Sequence, residues 1–524
     1  MSLLHEDTLL GVENQYPKNN WSWNRPHGIR YLAVLFITVI LLNFLFIKKQ
    51  TDVDRVIRLK HNQTLLHTLS DKFLSFGLDS SLLRDMKNFP LLNDKFINLA
   101  HHLSPAYVRF GGTSADCLYF NQTASDREEN RIAKPFSYNE NDISNFTITR
   151  NDFLALYVFS ERAKVRMIFD LNVLLRNGDG SWNSDNAHQI ITYARGREMD
   201  LDWQMGNEPN SFFHVFDIRI SAEQLAKDYC QLRKILNQLG YQDSFLVGPE
   251  ANHIGDEDHK GAVYAENFLK NVENCVDGVT WHQYYLNGHV AQVDDFVNYK
   301  VFNRLSSEID AMNSAIKSSG KNLPMWISET GSAYGGGAPN LSNRFAATFL
   351  WLDKLGYSAK AGVNVVIRQS FFGGNYAMIG EDLNPNPDWW VAVLFKKFVS
   401  EKVLNFATQN NFGKLRFYAH CSSKQALNDT GASIVIYGLS LNEDDKIIQI
   451  QGPPRGSKIL YYSLASEKLQ SRNIWMNGDV LRLQKDGTLP RFKPKVLNVD
   501  EPVPIPGYSL VFLLIRGMKI PECS

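Results

Sequence analysis

The chain has 524 residues, too many for one small hydrophobic core, so a large domain with at least one smaller companion is expected. Its composition, 44% hydrophobic and 21% charged, is ordinary for a globular protein. The 55 basic residues balance 55 acidic ones, and a net charge of +0 gives no general reason to bind nucleic acid or an anionic membrane surface.

The N-terminal stretch departs from this picture. Tyr31 to Ile47, YLAVLFITVILLNFLFI, carries no charge and is bracketed by Arg25 and Arg30 on one side and Lys48 and Lys49 on the other. It is just long enough to span a bilayer. A cleaved signal peptide competes with this reading, but the preceding segment is long and KKQTD follows in place of a small-residue cleavage site. The expectation is a cytosolic tail over 1–30, a transmembrane signal-anchor over 31–47 and a membrane attachment through that helix. Sequons at Asn62, Asn121, Asn145, Asn340 and Asn428 all follow the apolar segment. They favour a single-pass protein with a lumenal or extracellular catalytic part, in the secretory pathway, the lysosome or at the cell surface. The sequon at Asn20 would then be cytosolic and unused.

Residues 48–70 read as a stem followed by a strand that joins the C-terminal domain. From Phe73 to Arg368 short apolar runs alternate with longer amphipathic stretches. The runs are Phe73–Leu78, Tyr107–Phe110, Val165–Leu171, Leu201–Met205, Phe245–Gly248, Gly278–Trp281, Met325–Ser328 and Val363–Arg368. Eight β runs with helical spacers predict an α/β fold, a (β/α)8 TIM barrel over 71–398. The spacer Ser221–Gly240 illustrates the rhythm, with an N-cap Ser, Glu223 close behind, apolar residues at helical spacing and a terminal Gly. Asn121 to Glu140 is polar and reads as an exposed loop. Beyond Lys397 the pattern changes to short alternating runs such as Lys414–Cys421, Ala432–Leu441 and Tyr508–Gly517, which predicts a C-terminal β-sandwich domain over 399–524.

The five cysteines show no C-x-x-C pair and no metal-ligand spacing, so neither a disulfide scaffold nor a metal site is expected. Cys421 and Cys523 share the C-terminal region and are the first choice for a bridge.

Polar residues recur just past the carboxyl end of nearly every run: Asp79, Thr113, Asn172, Asn207 with Glu208, Glu250, His282 with Tyr284, Glu329 and Gln369. In a closed barrel that face carries the active site. Glu208 follows the fourth run in GNEPNSF and Glu329 follows the seventh in WISETGSAYGGG, so both would face one cleft. Two carboxyls across a cleft suit glycoside hydrolysis: one protonates the leaving oxygen while the other attacks or activates water. Such hydrolysis needs no cofactor.

The chain resembles the heparanase family, glycoside hydrolase family 79 of clan A. The resemblance runs through LSPAYVRFGGT (103–113), WNSDNA (182–187), GNEPNSF (206–212), VTWHQYYLNG (279–288), ETGSAYGGGAP (329–339), WLDKLGYSA (351–359) and FFGGNY (371–376), and extends from about Asp71 to the C-terminus. It implies a retaining endo-β-glucuronidase that hydrolyses glucuronide linkages in a glycosaminoglycan, heparan sulfate first. Glu208 would be the acid/base, with a raised pKa, and Glu329 the nucleophile. Asn207 would hydrogen-bond the sugar 2-hydroxyl. Tyr334, Gly335, Gly336 and Tyr376 would receive the glucuronate carboxylate. Asp79, Thr113, His282, Tyr284, Gln369, Gly374 and Asn375 match further cleft positions.

Three stretches depart from the family pattern. Asn139–Thr147, NENDISNFT, has no Lys or Arg; Asp256, Glu257 and Asp258 stand where vertebrate members carry basic residues; and His289 replaces an Arg. An acidic rim repels a densely sulfated chain. The loop after Phe120 is also short, which predicts an enzyme active as a single chain. Cleavage of hyaluronan or of terminal glucuronides is therefore the alternative, and a non-catalytic heparan sulfate-binding protein is the alternative of another class.

Overall fold

The computed structural model describes residues 53–122, 139–255, 260–406 and 411–523. All fall in one compact unit, Val53–Ser524.

Eight parallel strands form the centre: β1 (Leu74–Asp79), β2 (Tyr107–Gly111), β3 (Arg166–Leu171), β4 (Asp202–Met205), β5 (Val247–Ala251), β6 (Gly278–Asn287), β7 (Met325–Tyr334) and β8 (Val365–Arg368). The hydrogen-bonded order runs β4-β3-β2-β1-β8-β7-β6-β5, and a Trp203 to Leu246 bridge closes β4 onto β5. The barrel thus follows the eight apolar runs in the order expected. Alternation along each strand decides what it fills. Val108 and Phe110 of β2 point outward into the helix-facing core, whereas Tyr107 joins Ile168, Val247, Trp326, Val365 and Ile367 in an apolar plug inside the barrel.

Local chemistry sets the helices. Thr149 and Asp152 form a reciprocal capping box at the start of helix Arg150–Ala163. The Ser221 side chain accepts from Gln224 N at the start of Ala222–Gln238, and Gly240 takes φ +82° just beyond its end. Two short strands, Leu118–Asn121 and Phe146–Thr149, pair in parallel on either side of the stretch read as a loop, most of which lies outside the described residues.

A nine-stranded sheet and a three-stranded sheet make the β layer beside the barrel. Two N-terminal strands belong to it: Leu65–Thr68 pairs antiparallel with Val399–Leu404, and Arg55–Arg58 pairs parallel with Lys446–Gln451. The large sheet is buried on both faces. Phe417, Ile434, Ile436, Val511, Leu513 and Ile515 pack against Ile57, Ile448 and Val503 of the small sheet. Tyr418, Val435, Tyr437, Phe512 and Leu514 belong to the barrel's own core. Helix Phe345–Lys360 meets that second face so closely that a Cβ on Gly356 would stand 2.1 Å from the Tyr418 ring. The buried Arg416 to Asp353 pair at 2.9 Å and the Tyr418 hydroxyl donating to Asp353 at 2.6 Å add polar ties across the same boundary.

Two disulfides are present, Cys421–Cys523 and Cys230–Cys275, and Cys117 is a buried free thiol. The Cys230–Cys275 bridge ties helix Ala222–Gln238 to the turn before β6, and nothing in the spacing of the cysteines singles it out. Asn62, Asn121, Asn145, Asn340 and Asn428 are all exposed.

The expectation of a single-pass membrane protein is corrected: no helix among the described residues is long and apolar enough to cross a membrane. The apolar run Tyr31–Ile47, the tail before it and Asn20 lie outside the described residues, as do Asp256, Glu257 and Asp258.

Candidate active site

A cleft of about 800 Å3 opens at the carboxyl ends of the barrel strands. Its lining includes Asp79, Thr113, Asn207, Glu208, His282, Tyr284, Glu329, Tyr334, Gly335, Gly336 and Tyr376. A larger groove, about 1170 Å3, runs along helix Asp94–His101 and the sandwich loop at Leu481–Gly487. Neither glutamate lines it, so the smaller cleft carries the chemistry.

Glu208 sits at the end of β4 with φ 58° and ψ 52°, a left-handed conformation that is costly for a residue with a Cβ. Its neighbour across the barrel seam, Glu250, is also left-handed at φ 60°, and Glu208 N donates to Glu250 O at 3.1 Å. Pro209, whose ring fixes φ, then begins the short turn Pro209–Ser211. Strain held at adjacent strand ends by surrounding structure is a mark of a functional site.

The two glutamates meet around His282. An oxygen of Glu208, a ring nitrogen of His282 and an oxygen of Glu329 all lie within 4.8 Å of one another. His282 Nδ1 is 2.7 Å from Glu208 Oε1 and 3.9 Å from Glu329 Oε1, while Nε2 is 2.8 Å from Glu250 Oε2. Burial alone would keep the imidazole neutral. The Glu329 charge and the hydrogen bonds that the imidazolium donates to Glu208 and Glu250 outweigh it and push the His282 pKa up to about 10. This reverses the expectation for Glu208. Burial raises its pKa, but the hydrogen bond and charge of His282 act against burial and hold it below the usual carboxylate value.

Arg109 organises the second glutamate from below. It lies on β2 in phase with Tyr107, so it points into the barrel and is 1% exposed. Its guanidinium donates to Glu329 Oε2 at 2.8 Å, Asn207 Oδ1 at 2.9 Å and Gln204 Oε1 at 2.8 Å, and stands 3.1 Å from Glu250 and 3.5 Å from Asp170. Tyr284 donates to the other oxygen of Glu329 at 2.9 Å. Asn207 is fixed at both ends, because its backbone N–H also donates to Asp116 at 2.8 Å. Burial raises Asp116 to about 7.

Gly335, Gly336 and Gly337 have φ of +69°, +74° and +85°, a run of left-handed backbone that glycine adopts without penalty. The turn presents Gly336 toward Glu140. A Cβ there would meet Glu140 Oε1 at 2.6 Å, and the Tyr376 hydroxyl donates to Glu140 Oε2 at 2.7 Å. The pocket foreseen for an anion therefore holds a carboxylate of the chain itself. Asp79, close by, has its pKa raised to about 7, first by burial and then by the Glu140 charge.

Gln369, Gly374 and Asn375 adjoin residues of the cleft lining. Gln369 donates to Asp79 at 2.9 Å, Asn375 N donates to Gly336 O at 2.7 Å, and Gly374 leaves room for the Tyr376 ring. Sequence reasoning missed Arg109, Gln204, Asp116 and Glu140. Arg109 had a signal, a charge at an inward phase of an otherwise apolar strand.

Among the described residues, two groups have metal-ligand spacing. In one, Cys230 and Cys275 are bridged to each other and offer no thiolate. In the other, both ring nitrogens of His282 are engaged by carboxylates, so Glu208, His282 and Glu329 are arranged for proton exchange.

The sequence family described as "Glycosyl hydrolase family 79, N-terminal domain" matches residues 78–356. Heparanase from Mus musculus is 34% identical, covering 87% of this chain and 92% of that protein. Hyaluronoglucuronidase from Hirudo nipponia is 29% identical, covering 84% and 93%. Among solved structures, a 4-O-alpha-L-rhamnosyl-beta-D-glucuronidase from Fusarium oxysporum superposes with a TM-score of 0.65 at 13% identity, covering 88% of this chain and 99% of that one, a likeness of fold. With a carboxylate pair at the strand ends of such a barrel, the chain belongs to glycosyl hydrolase family 79 and is a heparanase-like glycoside hydrolase.

Proposed function

We propose that the protein is a retaining endo-β-glucuronidase acting on a glucuronate-containing glycosaminoglycan, heparan sulfate first. One observation carries the reading: the Glu208 and Glu329 oxygens lie within 4.8 Å, beside a glycine and tyrosine pocket that already accepts a carboxylate. Retaining enzymes hold the two carboxyl groups about 5 to 5.5 Å apart, and a pair whose facing oxygens come within 4.8 Å is compatible with that spacing.

Glu329, its oxygens oriented by Arg109 and Tyr284, attacks the anomeric carbon, and Glu208 delivers a proton to the departing oxygen. Glu208 rests ionised, so that proton comes from the adjacent His282 imidazolium, 2.7 Å away. Forming the glycosyl ester neutralises Glu329 and removes the largest of the charges that favour the proton on His282. Glu208 then takes a proton from the incoming water and passes it back to His282, and the ester is hydrolysed with the original configuration restored and Glu329 ionised again. In this reading Asn207, held by Arg109 and Asp116, contacts the 2-hydroxyl.

Hyaluronan is the second reading, favoured by the absence of Lys and Arg from Asn139–Thr147 and by the Glu140 charge inside the cleft. Purified heparan sulfate, hyaluronan and an aryl β-glucuronide, each incubated between about pH 4 and pH 7, a range from the usual Glu pKa to neutrality, separate these substrates. Glu329→Gln is the inactive control. NMR of the first product should show the β-anomer; an α-anomer first would make the enzyme inverting and end the proposal.

A further inference from the structure

We infer that Glu140 is a specificity-determining residue of this cleft, an internal competitor for the donors that would take a substrate carboxylate. The inference rests on the proposed reading of the Gly335–Tyr376 pocket as the uronate site. Glu140 Oε2 accepts from the Tyr376 hydroxyl at 2.7 Å, and its Oε1 occupies the space that the missing Cβ of Gly336 leaves open. Its charge is felt at both ends of the subsite, where it raises the pKa of Asp79 and adds to the larger effects on Tyr284.

Two carboxylates cannot share one donor set without like-charge repulsion, so a uronate must displace Glu140. A neutral hexoside has no such need, because its primary hydroxyl can donate to Glu140 where it stands. Displacement does not require the backbone beyond Glu140 to leave. Arg84 pins that backbone through Asp142 O and Ser144 O, each at 2.7 Å, and stacks on the Phe146 ring at 4.2 Å. Rotation of the half-buried Glu140 side chain is enough. Every uronate therefore binds with an affinity reduced by the fraction of time the donors are free.

The experiment uses the full chain with Glu140→Ala and Glu140→Gln, each checked for an unchanged melting temperature. Calorimetric titration with free glucuronate and with glucose needs no turnover. If Glu140 holds the donors about nine-tenths of the time, glucuronate affinity rises about tenfold in Glu140→Ala. The rise is smaller in Glu140→Gln, whose amide oxygen still accepts from Tyr376, and glucose affinity changes less than the glucuronate affinity in both. The KM for an aryl glucuronide falls in the same order. Equal or weaker glucuronate binding in both variants overturns the inference. A protein that hydrolyses nothing but binds glucuronate more tightly in the variants would refute the proposed reaction and leave this inference standing. Hydrolysis with unchanged glucuronate affinity would do the reverse.

Discussion

His282 Nδ1 lies 2.7 Å from Glu208 Oε1, and the imidazole is buried with its other nitrogen on Glu250. The pair makes stability depend on pH in a definite direction. The folded-state pKa of His282 is raised from 6.5 to about 10, so its stabilising contribution is complete below pH 6.5 and is lost as pH rises through about 10. Denaturant melts of wild type and His282→Gln at about pH 6 and about pH 9.5 should show the stability difference shrinking at the higher pH. A difference that grows would mean the imidazole is buried neutral.

The two glutamates should separate by their roles. Glu208→Ala should lower kcat on an unactivated polymer by about 100- to 10,000-fold, the range for a lost general acid. An aryl glucuronide with a good leaving group should suffer less in its first step, and added azide should restore turnover by trapping the glycosyl ester as a β-azide. Glu329→Ala should lose more, and azide should then yield an α-azide by direct attack. Products with these configurations exchanged would reverse the assignment.

Arg109 should be harder to replace than its distance from bulk solvent suggests. Removing one partner of a buried ion pair typically costs about 3–5 kcal/mol, and Arg109→Met strands Glu250, Asp170 and Glu329 together. Arg109→Lys should recover part of the stability but not kcat, since an ammonium cannot fork across Glu329, Asn207 and Gln204 at once. Thermal melts and single-turnover rates measured side by side check both halves.

The Cys230–Cys275 bridge closes a loop with a sequence separation of 45, for which chain entropy predicts about 4 kcal/mol of stabilisation. Cys230→Ser with Cys275→Ser should lower stability by up to that amount while leaving the cleft intact. Alkylation of the unreduced, denatured protein should label Cys117 alone. Labelling at Cys230 or Cys275 would contradict the pairing.

Much of the scaffold was legible because its signals are local. A short apolar run between turns is a strand wherever it lies, and a polar residue just beyond it belongs to the carboxyl end. That reasoning brought Glu208, His282 and Glu329 to one rim before any contact was known. It said nothing of the contacts such residues make: Gln369 donates to Asp79, 290 residues away. It also failed for the Glu208 pKa. A neighbouring carboxylate alone would raise it, and the imidazolium lodged between the two carboxylates lowers it.

The sequence by itself determined the eight-strand rhythm, the change to short alternating runs after Lys397 and the two carboxylates, because alternation and turn chemistry are written within a few residues. Tertiary structure alone decided the electrostatics. Barrel closure brings Arg109 of β2 to Glu329 of β7, Glu250 of β5 to His282 of β6, and Glu140 from a connecting segment to Tyr376. These partners lie from 32 to 236 residues apart. Charges at such separations act through distance and burial, and neither quantity exists until the chain has folded.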